Sequence, residues 1–374
     1  MPALSGRHFL QIPGPTNVPD RVLRAIDRAT IDHRGPEFAR LTKEILPGLQ
    51  RVFRTQGPVV VYPSSGTGAW EAALVNTLEP GDLVLMCETG HFATLWKQMA
   101  ENLGYRVEFL PGDWRHGADP AAVEKRLSND VRAVAVVHNE TSTGVTSRIP
   151  EIRAAIDRAR HPALLLVDTV SSLACMPYFH DDWGVDVTVC GSQKGLMLPP
   201  GLGFNAISKK ALARAGSRRS YWDWKPILQA NEGGFFPYTP ATNLLYGLRE
   251  SLAMLEEEGL ENVFARHTRH AEATRRAVRA WGLEVLCLDE REYSASLTAV
   301  LAPDADRIRK LALERFDLSL GTGLGKLQNR VFRIGHLGWF NDLMLCGTLC
   351  GVEMSLGRTG GATAAMEFLA GGPG

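Results

Sequence analysis

Three short polar stretches, each set beside apolar runs, carry the side chains of this sequence that are placed to do chemistry. The first is Ser64-Ser65-Gly66-Thr67-Gly68, after the apolar run 59–62 and before a helical pattern that carries Trp70, Ala73 and Leu74. A strand, a tight Gly/Ser/Thr loop and a helix N-terminus aim backbone N–H groups and a hydroxyl at one spot, which suits a phosphate. The lysine of a GKS or GKT loop is absent, so a nucleoside triphosphate is disfavoured. The same residues also suit a plain strand-to-helix turn with a Ser or Thr cap, and the stretch alone leaves both readings open.

The second is Asp168, at the end of the apolar run 164–167 and followed by Thr169-Val170-Ser171-Ser172. A carboxylate at the end of a buried strand is unstable without a cationic partner, and a protonated pyridine nitrogen would be one. An N-cap for the next helix is the alternative. The third is Gly191-Ser192-Gln193-Lys194-Gly195, between the run 185–190 and the apolar Leu196-Met197-Leu198-Pro199-Pro200. Desolvation there would lower the lysine pKa and make its amine a nucleophile toward an aldehyde. A surface loop lysine is the competing reading, and a polar island so short counts against it.

These stretches need elements to hold them. Apolar runs at 59–62, 83–86, 107–110, 134–137, 164–167 and 185–189 alternate with helical patterns around 70–77, 92–103, 121–127 and 149–159. Runs that are apolar on both faces and alternate with helices predict an α/β fold with a mainly parallel central sheet covered on both sides. Ligands on such a sheet bind at the carboxyl ends of the strands, where all three stretches lie. Residues 10–19 are rich in proline and glycine and predict an extended arm, followed by a helix from about Asp20. Helical patterns over 241–258 and 263–281 then give way to strands at 284–288, 296–301 and 331–334 and a helix over 306–316. A chain of 374 residues exceeds the roughly 250–300 at which one core stops growing. The expected division is an arm over 1–19, a large domain over 20–258 and a smaller C-terminal α+β domain over 259–374.

Lys plus Arg balances Asp plus Glu at 41 each, so no global field draws the chain to nucleic acid or an anionic membrane. The basic cluster 214–219 is interleaved with Ala and Gly and reads as a solvated helix end or loop. Six scattered cysteines without a CxxC suggest buried thiols in a reducing compartment, not disulfides or a zinc site, and no metal is expected. No stretch has signal-peptide character or the roughly 18 apolar residues of a membrane helix, which predicts a cytoplasmic enzyme.

A phosphate loop, a strand-end acid and, 26 residues after it, a strand-end lysine occur together in one order. With them the chain resembles the class V aminotransferases, closest to the serine–glyoxylate and alanine–glyoxylate aminotransferases. The resemblance rests on Pro13-Gly14-Pro15-Thr16-Asn17, Asp32-His33-Arg34, Ser65 to Glu71, and His138-Asn139-Glu140-Thr141-Ser142-Thr143-Gly144-Val145. It continues through Val167 to Ser172, Gly191 to Gly195 and Arg333-Ile334-Gly335-His336-Leu337-Gly338, and so spans nearly the whole chain. It implies a fold-type I transferase dependent on pyridoxal 5′-phosphate, with Lys194 as the Schiff-base lysine and proton carrier and Asp168 paired with the pyridinium nitrogen.

The resemblance also implies that Ser65, Gly66, Thr67 and Gln193 hold the phosphate, that Thr141 sits beside the ring and its 3-oxygen, and that Arg333 clamps the substrate carboxylate. Thr239 would reach a neighbour's phosphate across a homodimer with its active sites at the subunit interface. Several relatives stack tryptophan on the ring, where this chain has Gly90-His91-Phe92. Phe92 is assigned that role, with His91 its competitor and an ordinary core aromatic the alternative for Phe92. His33, Trp70, Glu71 and His336 are further candidates to line the pocket, with packing or an interface the alternative for His33 and Trp70. The implied reaction is ping-pong transfer of an amino group from a small L-amino acid, L-serine first, to glyoxylate, giving glycine and hydroxypyruvate. L-Alanine and L-aspartate are alternative donors. A lyase of the cysteine desulfurase type is the different-class alternative, disfavoured because Cys346 and Cys350 sit at apolar helical spacing.

Overall fold

A computed structural model describes residues 6–214, 216 and 219–371. Part of the basic cluster at 214–219 lies outside the described residues. The chain begins with β1 (Phe9–Gln11), α1 (Asp20–Ile26), α2 (Pro36–Phe53), β2 (Val59–Pro63), α3 (Gly66–Thr77) and β3 (Leu83–Cys87). It continues through α4 (His91–Asn102), β4 (Arg106–Leu110), α5 (Pro120–Arg126) and β5 (Val131–Val137). A hairpin of β6 (Asn139–Glu140) and β7 (Val145–Thr146) leads to α6 (Ile149–Arg158), β8 (Leu164–Asp168), β9 (Val187–Gly191) and β10 (Leu202–Ile207). Four helices follow: α7 (Lys209–Leu212), α8 (Trp224–Glu232), α9 (Thr242–Glu258) and α10 (Leu260–Ala280). The last part holds β11 (Glu284–Val285), β12 (Leu297–Leu301), α11 (Ala305–Phe316), β13 (Leu318–Thr322), β14 (Val331–Gly335), α12 (Asp342–Leu356) and α13 (Gly361–Ala370).

Period-two alternation builds the central sheet. In β5, Val134 and Val136 join one buried core while Ala133, Ala135 and Val137 join another on the opposite face. In β8, Leu165 and Val167 face the first core, and Leu164 and Leu166 the second. Apolar side chains on both faces are what a helix-covered parallel sheet requires. The strand order is β2-β10-β9-β8-β5-β3-β4. β4, β3, β5, β8 and β9 run parallel, and β10 is antiparallel to both β2 and β9.

Outside the central sheet β1, β6, β7 and β13 were not read as strands, and within it two strands depart from the apolar-run reading. β10 was absent from it, because Gly203 and Asn205 interrupt the run. Asn205 is nonetheless buried: its amide donates to the Ala69 and Thr188 carbonyls at 3.2 and 3.4 Å and accepts from the Tyr62 hydroxyl at 3.0 Å. The run at 185–189 pairs two residues later, as β9, because the Asp186 carboxylate accepts from Leu165 N–H and Ser208 Oγ, each at 2.9 Å.

A second sheet has the order β1-β13-β14-β12-β11, with α10, α11, α12 and α13 around its own core. The chain enters this part where α9 ends at Glu258 and α10 begins at Leu260, through Gly259 at φ +80°. The N-terminal arm belongs to it as well, since β1 pairs in parallel with β13. Beyond β1 the arm crosses back toward the central sheet, where Thr16 N–H donates to the Gln193 carbonyl at 3.0 Å and Thr16 Oγ1 to the Leu337 carbonyl at 2.8 Å. All six cysteines are free. Among the described residues no helix is long and apolar enough to cross a membrane, and no His/Cys/Asp/Glu cluster is placed to hold a metal.

Candidate active site

Lys194 lies in the turn after β9 and is 7% exposed. Its amine donates to the Pro13 carbonyl. The arm comes this close because residue 14 is glycine: a Cβ there, at φ +107°, would stand 2.4 Å from Lys194 Cδ. Burial and then the Arg333 guanidinium pull the Lys194 pKa down to about 8, with Asp168 opposing them. The amine is therefore far more available as a nucleophile than an exposed lysine.

Asp168 ends β8, the neighbour of β9, and both carboxylate oxygens are held. Oδ1 accepts from Val170 N–H at 2.7 Å, and Oδ2 accepts from Trp70 Nε1–H at 3.0 Å. Burial pushes its pKa up to about 7 against the pull of Val170 N–H, Trp70 and Lys194. A cation brought to this carboxylate would restore its charge, and a protonated ring nitrogen is a planar donor of that kind. Trp70 is itself fixed by stacking on Trp96, with 5.8 Å between centroids and 13° between planes.

The Ser65 loop opens α3. Ser65 Oγ accepts from Gly68 N–H at 3.4 Å, so the residue does cap the helix, and Ser65 and Thr67 are also exposed at its positive end. Close approach favours glycine here. A Cβ on Gly66 would lie 2.5 Å from Val170 Cγ2, and one on Gly191 would lie 2.9 Å from Gln193 Oε1 and 3.3 Å from Gly66 N. Gln193 and the helix N-terminus thus meet at one place, where Gln193 Oε1 is buried with no hydrogen-bond partner among the described residues.

Across from these, Arg333 rises from β14. Its Nη1 donates to the Thr141 carbonyl at 2.7 Å and its Nε to the Thr322 carbonyl at 2.8 Å, so two carbonyls fix the orientation of a guanidinium whose planar fork suits a carboxylate. Burial lowers the Arg333 pKa and Glu140 raises it. The Thr141 hydroxyl donates to Ser171 Oγ at 2.8 Å, three residues beyond Asp168.

Glu140, to which the sequence reading gave no role, is fully buried between these groups. Its Oε1 accepts from Ser142 Oγ at 2.6 Å, Ser142 N–H at 3.0 Å and Phe92 N–H at 3.3 Å, and its Oε2 from Ala93 N–H at 3.0 Å. It therefore ties the Thr141 hairpin to the start of α4. The signal was available, for Glu140 is an acid just past a buried strand, as Asp168 is.

Phe92 is half-buried against the second core, and His91 faces the loop after β13, where a Cβ on Gly325 would lie 3.4 Å from His91 Nδ1. Thr239 is exposed, one residue after Tyr238, whose ring stacks on Tyr221 at 4.6 Å. The remaining candidates separate. Trp70 serves Asp168, Glu71 accepts from Trp222 Nε1–H at 3.1 Å, and His33 is half-buried. His336 is a satisfied core histidine, its ring nitrogens bonded at 3.0 Å to the Ala295 carbonyl and the Thr298 hydroxyl.

A family model described as Aminotransferase class-V matches residues 8–309. The chain belongs to the class V aminotransferases. One relative, the serine–glyoxylate aminotransferase of Methylorubrum extorquens, is 49% identical over 367 residues, which cover 94% of this chain and 91% of the relative. The L-aspartate–glyoxylate aminotransferase of Paracoccus denitrificans is 43% identical over 368 residues, 96% of this chain and 93% of the relative. The crystal structure of an alanine–glyoxylate aminotransferase from Nostoc sp. superposes with a TM-score of 0.87 at 30% identity, over 95% of this chain and 97% of that one.

Class V aminotransferases use pyridoxal 5′-phosphate, and the residues of this aminotransferase fit that group. A helix N-terminus with hydroxyls suits the phosphate, a buried anion suits a pyridinium, and a desolvated amine suits the aldehyde. The Gln193 side-chain oxygen, buried beside the cradle, has no hydrogen-bond partner among the described residues.

Proposed function

We propose that this aminotransferase transfers the amino group of a small L-amino acid, L-serine first, to glyoxylate, yielding glycine and hydroxypyruvate in a ping-pong cycle. The observation that carries the reading is the joint burial of a nucleophilic amine, an anion and a carboxylate-binding guanidinium: Lys194 feels both Asp168 and Arg333. Bound pyridoxal phosphate supplies an electron sink for the pair left at the substrate Cα when its proton departs. Lys194, with its pKa near 8, takes that proton and returns it, so one group serves as base and acid. Asp168 holds the proton on the ring nitrogen, and Trp70 and Val170 keep Asp168 oriented and anionic. Arg333 orients both amino acid and oxo acid through the carboxylate they share.

Serine is put first because the relative at 49% identity bears that name, and aspartate and alanine follow from the other two. A desulfurase-type lyase needs a reactive thiol at the site. Cys346 and Cys350 instead lie on α12 against the core of the second sheet, and burial pushes Cys175, near Lys194, up to about 12. In the same reading, two copies pair so that Thr239 of the partner subunit completes each phosphate site. Six free thiols accord with the cytoplasm.

The test follows the visible absorbance of the cofactor-loaded protein as L-serine, L-alanine or L-aspartate and then glyoxylate are added, with Lys194→Ala as control. The band should bleach with the donor and return with glyoxylate. A band untouched by every donor contradicts the proposal.

A further inference from the structure

Arg333 stands on the second sheet and Lys194 on the central one, so the distance from carboxylate clamp to reacting amine depends on how the two sheets are held together. We propose that Glu88, Trp114 and Lys326 form a latch between them that positions Arg333 for the substrate carboxylate, an inference that rests on the aminotransferase reading.

Each member comes from a different loop. Glu88 follows β3, Trp114 lies between β4 and α5, and Lys326 lies between β13 and β14. Trp114 Nε1 donates to Glu88 Oε1 at 3.0 Å, and Lys326 Nζ contacts the same oxygen. The Lys326 ammonium also stands 5.1 Å from the centroid of the Trp114 ring, so one cation serves a carboxylate and an aromatic face together. Trp114 is 4% exposed and sits at φ +66°, a strained position for a bulky residue that the surrounding contacts must hold.

Both ends of the Lys326 loop bear on Arg333. Before it, the Thr322 carbonyl accepts Arg333 Nε–H at 2.8 Å. After it, Leu327 and Val331 pack with Trp114 in a small core cluster, and Val331 stands two residues from Arg333 on β14. In the middle, Gly325 at φ +53° packs closely on the ring, since a Cβ there would lie 3.1 Å from Trp114 Cη2. The latch thus fixes from the second sheet the guanidinium that Thr141 tethers from the β6–β7 hairpin, and a misplaced clamp weakens substrate binding before it alters the chemistry.

The experiment compares cofactor-loaded wild type with Lys326→Met, Glu88→Gln, their combination and Lys326→Arg, reading kcat and KM for donor and acceptor. Hydrogen exchange over 318–335 is followed on the same proteins. For an ion pair with an exposed lysine and a largely covered carboxylate, KM for both substrates should rise about fivefold in each single variant, with kcat within about twofold. The double variant should be no worse than either single one, and arginine should restore binding. Exchange over 318–335 should quicken in the Met and Gln variants. Unchanged KM, a loss confined to kcat, or unchanged exchange overturns the latch. A wild type that transaminates no donor overturns the aminotransferase reading and the carboxylate role with it, and is told apart by the wild-type assay alone.

Discussion

Asp168 sits where burial opposes its charge, and among the described residues two N–H groups hold its oxygens. Trp70 is one of them, so Trp70→Phe keeps the ring stacked on Trp96 and deletes a single donor to a buried carboxylate. Such a bond contributes on the order of 1.5–3 kcal/mol. The variant should bind pyridoxal phosphate at least about tenfold more weakly, in a titration of the visible band, with the fold unaltered by circular dichroism. Affinity within twofold of wild type would show that Trp70 only packs. From the sequence Trp70 was open between pocket and packing, because an indole N–H shows its partner only once β8 and α3 are placed side by side. The buried, strand-end positions of Lys194 and Asp168 were legible because each follows an apolar run, a pattern that needs no tertiary knowledge. The tasks of Glu140 and Gln193 depend on loops far apart in the chain.

At the level of elements, the central sheet was readable where both faces are apolar, as in β5 and β8. It was lost at β10, where buried Asn205 is satisfied by residues from β2, β9 and α3. The arm was read as extended, but its pairing with β13 could not be, since three residues at a sheet edge carry no pattern of their own. That arm has a consequence at residue 14. Gly14→Ala would place a Cβ 2.4 Å from Lys194 Cδ at a φ of +107°. A stability loss of about 1–3 kcal/mol is expected from strain and overlap together. The variant should also show a diminished visible band with pyridoxal phosphate while still binding pyridoxamine phosphate, which needs no bond to Lys194. Equal loss of both ligands would point to general unfolding instead.

Over the whole molecule, buried histidines set the response to acid. Burial pulls His138 and His267 down to about 3 and His180 to about 4, and holds His336 well below its ordinary value. The stability these groups confer is present above about pH 6.5, where the unfolded chain is also neutral at histidine, and is lost as pH falls through the depressed values. Asp168 acts in the opposite sense, since its raised pKa lets the folded chain keep one proton that the unfolded chain releases between about pH 4 and 7. Unfolding near pH 5 should therefore take up protons, because the lowered histidines outnumber the one raised aspartate. Urea midpoints of the cofactor-free protein should fall steeply from pH 6.5 to 4.5, and midpoints that stay level would contradict charged-state burial as the cause.

The most direct test of transamination is a single half-reaction at stoichiometric scale. Cofactor-loaded protein is mixed with L-serine, the released small molecules are quantified, and glyoxylate is then added. The arrangement of Lys194, Asp168 and Arg333 predicts about one equivalent of hydroxypyruvate per site, no free ammonia, and about one equivalent of glycine after glyoxylate. Release of ammonia with pyruvate, or glyoxylate left unconverted, would contradict it.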